Sequence, residues 1–223
     1  MNFKTAVFVF FATLTIAACN KGDDSVPASS KLTTTLNVVN TTTDTLNYYL
    51  NGSRVNTTSS LYPFGNTGYL AVKYDDQEYQ FKRLGNADVL FNISLALDTS
   101  KVYSLFVAGR AAEQTFTTLD TLTADTAGRA RIRFVNASPD AGNLDVMIGD
   151  TVNFKVRAYK SASVFLPVGV GIKHVRVFQS GSTLAISDTS RTLVAGRVYT
   201  LFAKGKLAGV GGAKFGTGLM VNR

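Results

Sequence analysis

The sequence contains an internal repeat, which limits the possible folds of the chain more than any other feature. The segment Leu36–Asn40 aligns with Ile132–Asn136, and Val102–Gly109 aligns with Val198–Gly205. Both alignments have the same offset of 96 residues. A period this long exceeds that of solenoid repeats and is the length of a small autonomous domain. The sequence therefore predicts two tandem copies of one domain.

Each copy has the pattern of a β-sheet domain. Arg129, Arg131 and Arg133 alternate with apolar residues, which places the arginines on one face of a strand and the apolar residues on its core face. Further strands are predicted over residues 46–50, 69–74, 79–82, 144–148, 164–167 and 174–178. Strands this short, separated by turns, favour a β-sandwich. We predict copy 1 over residues 32–123 and copy 2 over residues 124–223.

The N-terminus has the pattern of an export signal. Lys4 precedes a mostly apolar stretch, residues 6–18, which is too short for a membrane-spanning helix at about 1.5 Å per residue. Ile16–Cys19 resembles the lipobox of bacterial lipoproteins. Residues 1–18 are therefore predicted to be a signal peptide, and residues 19–31 an acylated Cys19 with its tether. A lone cysteine is also compatible with a free thiol or an intermolecular disulfide.

The residues after Cys19 bear on where the protein is located. Lys21, Asp23 and Asp24 resemble the surface-export signal of Bacteroidota lipoproteins. A solvated tether is the simpler interpretation of the same residues. We predict an outer-membrane lipoprotein, anchored by its lipid and exposed at the cell surface.

Positive charge is concentrated in copy 2. Residues 20–123 carry a net charge of −2, and residues 124–223 a net charge of +9. The predicted face for an anionic ligand comprises Arg129, Arg131, Arg133, Lys155, Arg157, Lys173 and Arg176. Such a face would attract an anionic envelope polymer or glycan. The alternative is a solvated, charged strand that prevents pairing between sheet edges.

Few residues point to catalysis or metal binding. The single histidine, His174, is predicted to point outward from its strand beside Arg176, and no GxSxG or HExxH motif occurs. Asp140, Asp145 and Asp150 do not have the spacing of an EF-hand. We predict no metal, no cofactor and no enzymatic activity, although two carboxylates from distant strands could still converge as in glycosidases.

The glycine-rich basic segment 204–218 lacks the GxxxxGK[ST] pattern of a phosphate-binding loop. It is predicted to be a mobile loop before a last strand over residues 219–222. Because binding residues often lie in loops on a rigid sandwich, it is also a candidate contact loop.

Copy 2 resembles a family of bacterial envelope proteins. Arg131–Ala141 followed by Leu144–Val146, and later Leu193–Phe202, are similar to domain of unknown function 4397. Copy 1 is more divergent, because residues 40–44 replace the Ser138-Pro139-Asp140 turn. The resemblance implies immunoglobulin-like antiparallel β-sandwiches in an exported protein. It implies no activity and no catalytic residues.

These observations together predict a non-catalytic binding, adhesion or envelope-interaction module. The alternative is an accessory subunit of an outer-membrane transport or polysaccharide-handling complex. Besides the membrane, the expected partner is an anionic polymer, a glycan or an envelope protein. Nucleic acid is not expected, since no stacking-aromatic motif accompanies the basic residues.

Overall fold

A computed structural model describes residues 33–223, which form an all-β protein. The predicted signal peptide, Cys19 and the whole of the predicted tether lie outside the described residues. In copy 1 the strands are β1 Thr33–Asn40, β2 Leu46–Leu50, β3 Ser53–Arg54, β4 Leu70–Lys73, β5 Asp75–Arg83, β6 Val89–Leu97, β7 Val102–Val107 and β8 Thr115–Leu119. In copy 2 they are β9 Ala130–Asn136, β10 Leu144–Ile148, β11 Val152–Arg157, β12 Leu166–Val168, β13 Gly171–Gln179, β14 Ala185–Leu193, β15 Val198–Lys204 and β16 Gly216–Val221.

The repeat in the sequence reappears as a repeat in topology. Each copy has an inner sheet, β4-β1-β7-β8 in copy 1 and β12-β9-β15-β16 in copy 2. Each also has an outer sheet, β3-β2-β5-β6 and β11-β10-β13-β14 respectively. The all-β class with two tandem sandwiches is confirmed. One strand pair in each inner sheet is parallel, β1 with β7 and β9 with β15, whereas the other pairs are antiparallel.

The predicted strand bounds agree best with the structure where turn residues directly follow an alternating run of apolar and polar residues. The bounds of β2 and β10 are as predicted. Asn51 and Gly52, with φ of 50° and 76°, form the tight turn after β2. The last strand was predicted too short, because it begins at Gly216 rather than Leu219. Gly216 and Gly218 have no side chains, so the start of this strand does not show an alternation of apolar and polar residues in the sequence. At Gly218 any Cβ would collide with the Phe202 ring.

A separate apolar core fills each sandwich. In copy 1 the largest buried side chains include Tyr48, Phe81 and Leu105. In copy 2 they include Phe134, Leu144 and Leu201. The core of copy 2 contains Ile132 and Phe134, as the alternation along β9 predicts. Burial of such side chains contributes about 1.5–3 kcal/mol each, so these cores stabilise the sandwiches without a disulfide.

The two copies pack together through their inner sheets. A third apolar cluster comprises Val39, Phe106, Ala108, Val135, Ala137, Phe202 and Met220. Phe106 of β7 contacts Phe202 of β15 edge to face, with ring centroids 6.3 Å apart. The described residues therefore form one compact unit of four stacked sheets.

The two ends of this unit differ. At the Thr33 end, β1, β7, β9 and β15 all begin, and the chain terminus at Arg223 lies here because its carbonyl accepts the Val198 N–H. At the Asn40 end the same four strands finish. Within residues 33–223 no helix is long and apolar enough to cross a bilayer.

Candidate binding site

The predicted arginine row does not form an exposed face. Arg133 is 1% exposed and lies between the two copies, where its Nη2 is 2.5 Å from Asp120 Oδ1 of copy 1. Alternation correctly placed Arg133 away from the copy 2 core. The face it shares is covered by copy 1, so the placement of Arg133 on a ligand-binding surface is wrong.

The other two arginines of the row bind the segment that joins the copies, and one of them also binds a loop of copy 2. Arg131 donates to the carbonyl oxygens of Thr123 and Phe165. Arg129 is exposed and pairs with Asp125 at 3.0 Å. Because β9 is an inner strand of its sheet, these side chains do not protect a sheet edge either.

The remaining candidate cations lie on the other side of copy 2. Lys155 and Arg157 belong to β11, whereas Lys173 and Arg176 belong to β13, both in the outer sheet. Lys155 pairs with Asp145 at 3.0 Å. The copy 2 core separates this sheet from the β9 arginines, so the seven predicted residues do not converge on one face.

A buried polar network surrounds the Arg133–Asp120 pair. Asp120 accepts hydrogen bonds from Tyr69 Oη, Ser104 Oγ and Thr118 Oγ1 at 2.5, 2.5 and 3.1 Å. Burial, and then the charge of Asp120, raise the pKa of Tyr69 well above its ordinary range. The carboxylate therefore has partners in both copies, which makes it the polar centre of the interface.

On the copy 2 side, Arg133 Nε donates to Thr200 Oγ1 at 2.9 Å, and Thr200 donates to Asn222 at 2.8 Å. Asn222 Nδ2 then donates to Tyr69 Oη at 2.6 Å, which closes the network across the interface. The guanidinium of Arg133 also lies over the Phe165 ring, 4.7 Å from its centroid. These contacts satisfy the buried charge and fix the register between the copies.

An open cleft lies at the Asn40 end, between the two copies. This end cleft has a volume of about 340 Å³. Its lining includes Thr41–Asp44, Phe64, Gly109–Arg110, Gln114, Pro139, Gly205–Lys206 and Ala213. Both copies contribute the loops that follow their parallel inner strands, so the cleft exists only in the paired arrangement.

Charged and hydroxyl groups face the end cleft. Arg110 Nε and Nη2 bind Asp44 in bidentate fashion at 2.7 and 2.9 Å, and the Arg110 side chain is 62% exposed. Gln114 accepts the Arg110 backbone N–H at 3.0 Å. Lys206 is exposed on the opposite wall, and Thr43 is exposed beside Asp44. The lining carries one carboxylate and two cations.

The turns beside the cleft are held by asparagine side chains. In copy 2, Asn136 Nδ2 donates to the Gly142 and Arg157 carbonyls, while its Oδ1 accepts from the Ser138 N–H. Asp140 accepts the Leu207 N–H at 3.0 and 3.1 Å. The Ser-Pro-Asp turn is therefore structural, and its aspartate fixes the glycine-rich segment against the turn.

No group of three or more His, Cys, Asp or Glu side chains that could hold a metal occurs within residues 33–223. His174 points outward as predicted, and its Nδ1 lies 3.5 Å from Asp188 with both side chains largely exposed. The outward position agrees with the alternation along β13.

A family profile described as a domain of unknown function, DUF4397, matches residues 34–147 and 136–216. The chain belongs to the DUF4397 family. The first match covers copy 1 and continues through β9 into β10, and the second lies within copy 2. No curated protein matches this DUF4397 chain.

Three solved structures give weak superpositions. The C-terminal domain of AlgF from P. aeruginosa is 19% identical, with 42% of this chain and 98% of that domain covered and a TM-score of 0.29. A streptococcal family 41 carbohydrate-binding module that recognises α-glucan is 13% identical, with 75% and 92% covered and a TM-score of 0.26. A Bacteroides ovatus protein assigned to cell adhesion is 8% identical, with 84% and 95% covered and a TM-score of 0.24. All three TM-scores are below 0.5, and superpositions this weak do not indicate the function of this chain.

Sequence reasoning missed both the interface and the end cleft. Asp120 was not among the candidate residues, and in the structure it follows β8 directly. The available signal was the apolar residues at outward positions, Val39 and Phe106 in copy 1 and Val135 and Phe202 in copy 2. Strands that are apolar on both faces indicate that both faces are covered.

Proposed function

We propose that this DUF4397 protein is a non-catalytic lipoprotein of the cell envelope that binds an anionic glycan in the end cleft. The observation that carries the proposal is the position of the cleft at the opposite end of the unit from Thr33. In a chain attached through its N-terminus, the Asn40 end is the end farther from the point of attachment and is free to face a ligand.

The side chains of the cleft fit a ligand with both hydroxyl and acidic groups. The bidentate Arg110–Asp44 pair has donors and acceptors left over for hydroxyl groups, since a carboxylate accepts about four hydrogen bonds and a guanidinium donates five. Lys206 has no carboxylate partner within the described residues and supplies a cation for an acidic group. Water around such contacts is common in polar sites.

Membrane attachment through Cys19 is part of the same proposal. Mass spectrometry of the protein from its native host should show an acylated Cys19 at the mature N-terminus. Digestion of intact cells with a protease should remove the sandwich unit if it faces outward, whereas full protection would place it in the periplasm.

Ligand binding is tested by screening the purified mature protein on an array of neutral and acidic glycans at low and physiological salt. We expect an acidic glycan to bind, with an affinity that falls as salt rises. Arg110→Gln and Lys206→Gln should each weaken binding by at least about tenfold, since a hydrogen bond to a charged group contributes roughly 1.5–3 kcal/mol.

Arg176→Gln in the outer sheet of copy 2 is the matched control, because it removes the same charge from a surface far from the cleft. An equal loss in this variant would indicate a net-charge effect and contradict a site in the cleft. Gly109→Ala is a second probe, because its Cβ would stand 2.0 Å from Gln114 Oε1 and must displace that side chain.

A further inference from the structure

The Thr33 end of copy 2 exposes apolar side chains that no other part of the unit covers. Val170, Ile172, Val194 and Val221 are 45%, 71%, 54% and 53% exposed. Val170 and Ile172 lie at the start of β13, where Gly171 pairs with Leu193 at the end of β14. Val194 follows that strand, and Val221 pairs with Tyr199 near the start of β15. All four therefore lie at one end of copy 2.

Three arginines lie at the same end of copy 2, where the carboxylate of Asp150 also lies beside Ile172. Arg129, Arg197 and Arg223 are exposed at the starts of β9 and β15 and at the chain terminus. Arg129 pairs with Asp125, whereas Arg197 and Arg223 form no ion pair among residues 33–223. Arginines around exposed aliphatic groups are the composition of a surface that binds at a lipid–water interface.

The segment that follows Cys19 joins the unit at this same end. Thr33 begins β1 at this end, and residues 20–32 separate it from Cys19. At about 3.3–3.6 Å per residue these thirteen residues reach at most roughly 45 Å. An acyl group on Cys19 would therefore keep the Thr33 end within reach of the membrane at all times.

We propose that Val170, Ile172, Val194 and Val221, with Arg129, Arg197 and Arg223, form a docking surface for an anionic lipid membrane. The inference rests on the proposed lipid anchor and deepens it. The anchor holds the unit near the bilayer, and the docking surface fixes its orientation with the end cleft outermost.

The orientation is tested with a probe at each end of copy 2. The single native cysteine is the acylated one, so an introduced cysteine provides a unique thiol for a fluorophore. We would label Ile172→Cys at the docking surface and Leu184→Cys, 76% exposed at the opposite end, in separate acylated proteins. Both would be reconstituted in phosphatidylcholine vesicles containing a nitroxide-labelled lipid, with and without phosphatidylglycerol.

We expect strong quenching at position 172 in the phosphatidylglycerol vesicles, relief of that quenching by salt, and little quenching at position 184. Equal quenching at the two positions, or none at position 172 in protein that is anchored, would overturn the docking surface.

A second measurement separates docking from anchoring. The mature chain carrying Cys19→Ser has no acyl group, and its affinity for phosphatidylglycerol vesicles should fall about 25-fold in Arg197→Gln/Arg223→Gln, at roughly fivefold per arginine near an anionic surface. Arg83→Gln/Lys214→Gln, which removes two exposed cations at the other end, should have little effect. If this arginine dependence is found while native Cys19 proves unacylated, docking stands and the anchor fails. If the unacylated chain shows no salt-sensitive binding, docking fails whatever the state of Cys19.

Discussion

The two copies share one topology but contribute different chemistry to the surface where they meet. Arg133 of copy 2 occupies the position of Asn37 in copy 1, at the repeat offset of 96 residues. Asp120 follows β8 as Asn222 follows β16. The interface thus contains one charged arm, Arg133 with Asp120, and one neutral arm, in which Asn37 Nδ2 donates to Met220 Sδ at 3.0 Å.

This difference shows that the copies are specialised for each other. Two copy 1 surfaces facing each other would bury two aspartates without an arginine, and two copy 2 surfaces would bury two arginines without an aspartate. Since a buried charge without a partner is strongly destabilising, the charged arm favours the pairing of unlike copies.

The largest expected effect comes from breaking the charged arm. Asp120→Ala leaves Arg133 buried without its counterion and should lower the free energy of unfolding by about 3–5 kcal/mol. Chemical denaturation of the mature protein measures it. Asp98→Ala, which removes the carboxylate from the exposed pair with Lys101, is the matched control and should cost far less.

The double variant Asp120→Leu/Arg133→Met sharpens the same test. It should be more stable than Asp120→Ala, because a buried ion pair replaced by apolar side chains of similar size is often neutral in stability. A double variant no more stable than the single one would show that the hydrogen bonds of Asp120 to Tyr69 and Ser104 outweigh the ion pair.

The next largest loss of stability is expected from replacing one asparagine in either copy, and it should be equal in the two copies. Asn40 and Asn136 end equivalent strands, and each side chain both donates to loop carbonyls and accepts a backbone N–H. Asn40→Ala and Asn136→Ala should each cost about 2–3 kcal/mol, since each leaves buried backbone groups without partners. A cost confined to Asn136→Ala would mean that the copy 1 turn is held by its threonines instead.

The stability contributed by copy 2 should depend on pH at a position where that of copy 1 does not. Asp145 of β10 corresponds to Asn47 of β2, and both are buried. Desolvation on its own raises the pKa of Asp145, but hydrogen bonds from Ser180 and the Val156 N–H, with Lys155, outweigh it and hold the pKa below its ordinary value of 3.8.

Because the folded pKa is depressed, the stability that Asp145 contributes is present above pH 3.8. It is lost as the pH falls from that value through the folded pKa. Asp145→Asn should lower the free energy of unfolding by about 1–2 kcal/mol at neutral pH and flatten this acid-side loss. Denaturation curves across the acid range test this, with Asn47→Ala as a variant that lowers stability without changing its slope against pH.

The sequence predicted the individual sandwiches better than their association, and the arginines of β9 show why. Alternation correctly assigned Ile132 and Phe134 to the core and Arg133 to the other face. Whether that face meets water or a second sheet depends on residues almost a hundred positions away, such as Phe106 and Asp120. The end cleft could not be predicted for the same reason, because its two walls come from different copies.

The smallest expected effect concerns a bulge found in β11 but not in its counterpart. The register between β10 and β11 shifts between Leu144 and Val146, and Val156 adopts a φ of 51°, which is unfavourable for a β-branched residue. Its side chain is 61% exposed, so little apolar burial would be lost on removing it.

Val156→Gly should therefore raise the free energy of unfolding by about 0.5–1 kcal/mol, because relief of the backbone strain exceeds the entropy cost of glycine. Val164→Gly, at a valine that is 73% exposed and has no positive φ, should instead destabilise the protein. If both variants lose the same stability in thermal denaturation, the bulge carries no strain, and the β11 edge of copy 2 is as relaxed as the β3 edge of copy 1.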